Sequence, residues 1–242
     1  MDIIHIKERP NTGEKVIEEI RSITPDTLLA FSCGKDSIGT WLAIREQFDR
    51  IVPFYMYTIP NLSFVEESLQ YYEHFFETKI VRMPHDSLYR FLGNYIFQPP
   101  ERISFIQSLN LQSPKREHTA QVVAHESGLD WELVYTAQGV RQNDSIQRRL
   151  SIEKHGAINH NMRHYYPIYD WSKDRLVTAL KKSGVKLPVD YKMFGRSFDG
   201  LDLRFIYQIK KHYPLDYQKI LDWFPLVEVE IYRYEFHMKG HL

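Results

Sequence analysis

Short continuous apolar runs in this chain are separated by segments in which apolar residues recur every three or four positions, the signature of strands alternating with amphipathic helices. Glu14 to Ile23 places Val16, Ile17, Ile20 and Ile23 on one helical face. Thr27 to Ser32 reads as a first strand, followed by a helix to about Phe48 in which Ile38, Trp41, Leu42 and Phe48 fall at helical spacing. Ile51 to Thr58 is a second strand, and Val65 to Phe76 a helix with Val65, Leu69, Tyr72 and Phe76 aligned. Thr78 to Met83 and Leu133 to Gln138 complete four strands. This alternation predicts an α/β fold with a doubly wound, mainly parallel sheet.

Between Pro84 and Trp131 the pattern breaks into helical patches such as Glu117 to Glu126, punctuated by Pro99-Pro100 and Pro114. A stretch this long predicts a helical insertion over about residues 84–131 rather than a bare loop. Ser172 is placed to cap a helix ending at Gly184, and a turn-rich stretch covers Tyr191 to Asp202. Helical patterns follow over Leu203–Tyr213 and over Tyr217–Phe224, the latter with Tyr217, Ile220, Leu221 and Phe224 in line. In Val227 to Tyr234, Val227, Val229 and Ile231 alternate with Glu228, Glu230 and Tyr232, predicting a short, half-exposed edge strand. Residues from about 172 to 242 thus form a C-terminal extension of helices and an edge strand. With 242 residues and 43% apolar content, the expectation is one domain over 1–242 with one sizeable core.

Charge is balanced at a formal net of zero, so nothing global selects nucleic acid or membrane as a partner. No run has the length of a membrane-spanning helix, and Met1-Asp2-Ile3-Ile4-His5 lacks the regions of a signal peptide. The chain has 1 cysteine, which excludes an intramolecular disulfide, a cysteine-based zinc site and a four-cysteine iron–sulfur cluster. A cytoplasmic location with no membrane partner is the expectation. The 16 tyrosines offer stacking surfaces but are mostly core or half-buried material by type.

The candidate chemistry lies at two strand ends. Leu28-Leu29-Ala30 empties into Phe31-Ser32-Cys33-Gly34-Lys35-Asp36-Ser37, a small-residue turn that opens the next helix. Free N–H groups of a first helical turn, with the helix dipole behind them, attract anions. Ser32 and Ser37 add hydroxyls, Lys35 a point charge, and Asp36 a carboxylate able to cap the helix or hold a divalent cation. Capping chemistry alone would also explain a Ser- and Gly-rich turn. The second strand, Leu133 to Gln138, ends in Gly139-Val140-Arg141-Gln142-Asn143-Asp144-Ser145-Ile146-Gln147-Arg148-Arg149. Arg141, Arg148 and Arg149 carry the planar fork that suits phosphate or sulfate oxygens, or they pair with Asp144 on a solvated helix face. Neither a Walker A loop nor a G-x-G-x-x-G fingerprint occurs.

The first segment resembles the Ser-Gly-Gly-x-Asp-Ser signature of PP-loop ATP pyrophosphatases, and the second the Gly-[Ile/Val]-Arg-x-x-[Glu/Asp]-Ser-x-x-Arg segment of their phosphoadenosine phosphosulfate reductase-like family. Cys33 stands where the first glycine is usual. That resemblance implies a five-stranded sheet in the order 3-2-1-4-5, whose switch point between strands one and four would bring both segments to one crevice. It further implies ATP and Mg²⁺ as cofactors. Ser32, Cys33, Gly34, Lys35, Asp36, Ser37, Gly139, Arg141, Arg148 and Arg149 would bind the nucleotide, with Asp36 on the metal and Lys35, Asp36 and Arg141 catalytic. The thiol-dependent reductases of the family have a nucleophilic cysteine near the C-terminus; here no cysteine follows Cys33, and the comparable region reads Gly195-Arg196-Ser197-Phe198-Asp199-Gly200-Leu201-Asp202. At the second strand's exit, Tyr57-Thr58-Ile59-Pro60-Asn61 replaces the family's Asp-Thr-Gly.

The functional expectation is therefore an enzyme that adenylylates an acceptor and releases pyrophosphate, without thiol-dependent reduction. A nucleotide-binding partner or sensor subunit, and sulfur-transfer modification of nucleic acid together with a partner protein, are the alternatives. His155, His160 and His164 form a weaker candidate for a metal site, the last two at i, i+4. Lys181-Lys182, Lys210-Lys211-His212, His237 and His241 read as solvated surface.

Overall fold

The computed structural model describes residues 11–239, so the readings of Met1–His5 and His241 above lie outside the described residues. Six strands form one sheet in the order β3-β2-β1-β4-β6-β5. They are β1 (Asp26–Ala30), β2 (Arg50–Tyr57), β3 (Val81–Pro84), β4 (Tyr135–Gln138), β5 (Ile158–Asn159) and β6 (His164–Tyr165). β1 runs parallel to β2 and β4, and β4 parallel to β6, while β5 turns back antiparallel on β6. The expected order holds as far as β4. Beyond it a hairpin of two-residue strands makes six strands rather than five, and strands so short leave no readable alternation in the sequence.

The chain divides into two compact units, residues 11–54 with 120–186 and residues 55–119 with 187–239. In the first unit, α1 (Gly13–Ile23), α2 (Lys35–Ile44), most of α6 (Arg116–Glu126), α7 (Ile146–His155) and α8 (Lys173–Ser183) accompany β1, β4, β5 and β6. Thr12 caps α1 and Ser172 caps α8, each side-chain oxygen accepting a backbone N–H three residues on. Gly184 ends α8 in the left-handed conformation, as its position in the sequence suggests. Leu28, Leu29, Ile38, Trp41 and Ile44 are buried on and around β1, and Phe31 meets Trp41 edge to face at 5.0 Å. Thr27 Oγ1 donates to Tyr135 O at 2.9 Å and shares a 3.0 Å bond with the Tyr165 hydroxyl, tying β1, β4 and β6 together beneath the site. Gly39 lets α8 seat on α2, because a Cβ there would lie 2.3 Å from Leu176 Cδ1.

In the second unit, α3 (Ser63–Phe75), α4 (Asp86–Gly93), α5 (Pro100–Ser108), α10 (Leu203–His212) and α11 (Pro214–Trp223) follow the expected helical patterns, whereas the short α9 (Asp190–Phe194) opens the stretch read as turn-rich and α12 (Val227–Lys239) departs from expectation. The edge strand expected over Val227–Tyr234 is the helix α12. Val227 and Ile231, four apart, are buried at 1% and 0%, whereas Val229 between them is 44% exposed. Burial therefore follows the helical period, which the short alternation of Val227, Val229 and Ile231 concealed.

No side chain of the chain's own turn caps α3; Asp216, on α11, does so instead. Its Oδ2 accepts from Ser63 N and Ser63 Oγ, both at 2.7 Å, and from Phe64 N at 3.4 Å, while Lys219 Nζ donates to Oδ1 at 2.9 Å. Burial opposes ionisation of Asp216, but these donors outweigh it and hold the carboxyl below its ordinary value. Asp216→Asn is expected to cost about 1–2 kcal/mol at neutral pH, the scale of a lost cap. Because the folded pKa is depressed, the contribution is complete above the unfolded value near 3.9 and fades as pH falls through the folded one. Urea unfolding of both proteins should show the difference shrinking below about pH 4; an equal difference at pH 3 and pH 7 would contradict the charged cap.

Candidate functional site

β1 leads into α2 and on to β2, whereas its other neighbour β4 leads into α7 and on to β6, so chain connections diverge between β1 and β4. Open α/β sheets bind ligands at the strand carboxyl ends of such a switch point. Ala30 pairs with Gln138 in register, which sets the loops Phe31–Gly34 and Gly139–Ser145 side by side. Both belong to the first unit.

Gly34 is the N-cap of α2 and, lacking a side chain, supplies no side-chain cap at the positive end of the helix dipole. The loop is braced from within. Ser37 Oγ donates to Gly34 O at 2.9 Å and accepts from Ser32 N at 3.2 Å, and the two serine hydroxyls lie 3.3 Å apart. Ser37 is buried, so its hydroxyl shapes the turn while Ser32 stands exposed at the rim. Cys33 has φ +57°, in the left-handed region that favours glycine. The residue is 3% exposed. A reactive thiol at the helix mouth is not what this geometry offers.

The two loops are locked by charge. Arg141 Nε donates to Asp36 Oδ1 at 2.7 Å and Arg141 Nη2 to Asp144 Oδ1 at 2.7 Å, with the arginine side chain only 5% exposed. Lys35 Nζ reaches Asp36 Oδ2 at 2.6 Å, and Arg148 Nη1 reaches Asp144 Oδ2 at 2.8 Å. Cations and carboxylates thus alternate in a chain: Lys35, Asp36, Arg141, Asp144, Arg148. Gly139 is required by the same approach, since a Cβ there would sit 2.8 Å from Asp36 C and Ser37 N. Beyond it, Gln142 N donates to Tyr169 O at 2.9 Å, and Ser145 caps α7 by accepting from Arg148 N at 3.1 Å. Arg149 makes a longer contact, 3.4 Å to Asn143 Oδ1.

All ten sequence-selected residues therefore lie on these two adjoining loops or the helix starts behind them. Sequence reasoning gave Asp36 to a cation and Arg141 to an oxyanion; it did not foresee that they pair with each other. In the arrangement seen, Arg141 spends its Nε and one Nη2 donor on Asp36 and Asp144. The Tyr169 carbonyl anchor left no sequence signal, because a backbone acceptor has no side-chain signature. The histidines are arranged differently from the helical spacing: His164 lies in β6 and His160 in the turn before it. His160 Nδ1 meets the Tyr135 hydroxyl at 2.8 Å and His164 Nε2 the Tyr166 hydroxyl at 3.0 Å. Among the described residues no cluster of three or more His, Cys, Asp or Glu could hold a metal ion.

No protein-family model matches this chain, and no curated protein matches it. Among solved structures it is similar to an NH3-dependent NAD synthetase from Campylobacter jejuni in complex with nitrate, at a TM-score of 0.42 and 15% identity, over 93% of each chain. It is also similar to a predicted subunit of tRNA methyltransferase from Methanocaldococcus jannaschii, at a TM-score of 0.35 and 17% identity, over 79% of this chain and 92% of that one. Both scores lie below 0.5, and neither likeness bears on the chemistry of the site. Among the described residues no helix is long and apolar enough to cross a membrane.

Two stability measurements test the site's construction. Arg141→Met leaves two carboxylates without their buried partner and should cost about 3–5 kcal/mol, whereas a surface pair such as Arg21–Asp49, 2.7 Å apart, should cost under about 1 kcal/mol when broken. Equal losses in denaturant unfolding would remove the lock. At position 33, Cys33→Gly should stay within about 1 kcal/mol of wild type, relief of strain offsetting lost burial. Cys33→Val should lose at least about 2 kcal/mol, since a β-branched residue resists positive φ. Valine tolerated as well as glycine would mean that φ at this position is not positive.

Proposed function

We propose that the chain is a PP-loop ATP pyrophosphatase of the phosphoadenosine phosphosulfate reductase-like kind, which adenylylates an acceptor and releases pyrophosphate. The observation that carries this reading is the gathering of Lys35, Asp36 and Arg141 on the start of α2 at the β1/β4 switch point, where the N-cap is a glycine. The sequence resemblance of both loops supports it.

A phosphate chain fits the donors present. The first-turn N–H groups of α2 and the Ser32 hydroxyl cradle pyrophosphate, and Lys35, whose side chain is 37% exposed, turns from Asp36 to the incoming phosphates. That movement frees Asp36 Oδ2. One carboxylate beside substrate phosphates is a usual donor set for Mg²⁺, so Asp36 is the residue that would hold it. When bound, the metal supplies countercharge to the phosphate oxygens. Arg141 keeps Asp36 aimed through the 2.7 Å bond, and Arg148, half exposed, is the arginine nearest to hand for a terminal phosphate or acceptor oxyanion.

In the reaction an acceptor oxygen or sulfur forms a bond to the α-phosphorus of ATP. The bond from that phosphorus to the bridging oxygen breaks, and its electron pair leaves with pyrophosphate. The chain's residues supply position and charge rather than covalent chemistry. No cysteine other than Cys33 exists in the sequence, and Cys33 is buried, so reduction through an S-sulfo-cysteine has no accessible nucleophile.

Lys35→Gln and Asp36→Asn should each weaken Mg-ATP binding by about 1.5–3 kcal/mol, roughly 10- to 150-fold in Kd, as charge-assisted contacts do. Calorimetry with both variants unchanged would remove the loop from the nucleotide site. Pyrophosphate release should appear on addition of the right acceptor, screened across small oxyanions, tRNA and DNA. Tight ATP binding without release under any acceptor would instead mark a sensor or partner subunit.

A further inference from the structure

The loop 195–200 runs between Gly195, at φ +71°, and Gly200, and a Cβ at either glycine would meet nothing within 4 Å. Phe198, between them, is held in two ways. Its ring meets Phe64 at 5.6 Å and Phe205 at 5.4 Å, both edge to face. Its N–H donates to Asp190 Oδ2 at 2.9 Å, which ties the backbone of the loop to the first residue of α9.

Asp190 is a costly place for a charge. The residue is 4% exposed, and its Oδ1 has no hydrogen-bond partner among the described residues. Burial pushes the carboxyl up, while the Phe198 N–H and its own N–H pull it down without prevailing. The groups around it do not compensate an anion. Tyr213, between α10 and α11, is raised by burial and then by Glu67 of α3, Asp216 of α11 and Asp190 itself. Lys219 on α11 is bound to Asp216 and to the Asn61 carbonyl. In the loop Arg196 pairs with Asp199, and at the start of α10 Arg204 pairs with Asp202 at 2.8 Å. A neutral acid loses little in such surroundings, whereas a carboxylate lacks the donors that would replace its water.

We propose that Asp190 is an acid-closed latch on the loop 195–200: its neutral carboxyl group accepts the Phe198 N–H, and loss of its proton to solvent loosens the loop. Opening returns Asp190 to water, where an aspartate ionises near pH 3.9. The loop is therefore held most firmly below about pH 4, and its hold weakens as pH rises from there to the higher value of the closed form, by up to about tenfold per pH unit. The latch lies wholly in the second unit and the loops at β1 and β4 in the first, so it stands apart from the proposed nucleotide chemistry.

Hydrogen exchange on the full chain, corrected for the intrinsic pH dependence of amide exchange, reads the opening of the Phe198 amide. In the wild type the opening constant should rise by up to about tenfold per pH unit above about pH 4 and then level off. Asp190→Asn keeps an acceptor for the Phe198 N–H without an ionisable proton, and its opening constant should stay flat near the acid value of the wild type. Asp190→Ala, with no acceptor, should open more readily at every pH. A flat wild-type profile, or a rise that persists in Asp190→Asn, would overturn the latch. Should the asparagine variant not fold, carboxyl carbon-13 NMR of the wild type decides. Asp190 is expected to titrate above the ordinary aspartate value, with the Phe198 amide resonance following the same midpoint. Titration at the ordinary value, or a Phe198 resonance that does not follow, would overturn the proposal equally.

Discussion

The ion pair between Asp36 and the buried Arg141 joins residues 105 positions apart, and the arrangement of the two loops depends on it. Arg141 is nearly inaccessible to water, so its charge is tolerable only while carboxylates occupy it on two sides. That condition forces the loop after β4 against the first turn of α2. The forced approach in turn admits only glycine at position 139, where any Cβ would strike the backbone of Asp36 and Ser37. Charge pairing, close backbone contact and the parallel register of β1 with β4 are thus consequences of one another rather than separate features.

Such a pair adds little net stability over an apolar replacement; what it adds is geometry. Lys35 and Arg148, at the two ends of the charge chain, are the more exposed cations, and the inner members fix where those ends lie. Under the proposed function, an anion at the start of α2 would meet the helix dipole and a lysine already paired to Asp36. Lys35 would then pass from its carboxylate to the incoming phosphates, so the site would exchange one ion pair for another instead of desolvating a bare charge.

Much of this was legible in the sequence because the informative signals were local. The apolar run before Phe31 and the small residues after it identify a strand–turn–helix unit, and the second glycine–arginine segment repeats that logic after β4. Long periodic helices such as α3 and α11 were also readable from their apolar spacing. What failed was short or tertiary. Five residues from Val227 to Ile231 fit a period of two as well as a helical one, and only burial of Val227 and Ile231 against their own unit separates the readings. β5 and β6 span two residues each and exist because β4 offers them an edge. The Asp36–Arg141 pair was invisible for a similar reason: each residue has an independent plausible role, and nothing local says that they meet.

Hydrogen exchange of the backbone amides, with and without Mg-ATP, tests most directly whether these two loops form one nucleotide site. Amides of residues 33–38 should gain protection together with those of residues 139–145, since the second loop is bound to the first through Asp36. Protection of the α2 start alone would separate the loops, and protection confined to any other part of the chain would place the nucleotide elsewhere and contradict the assignment.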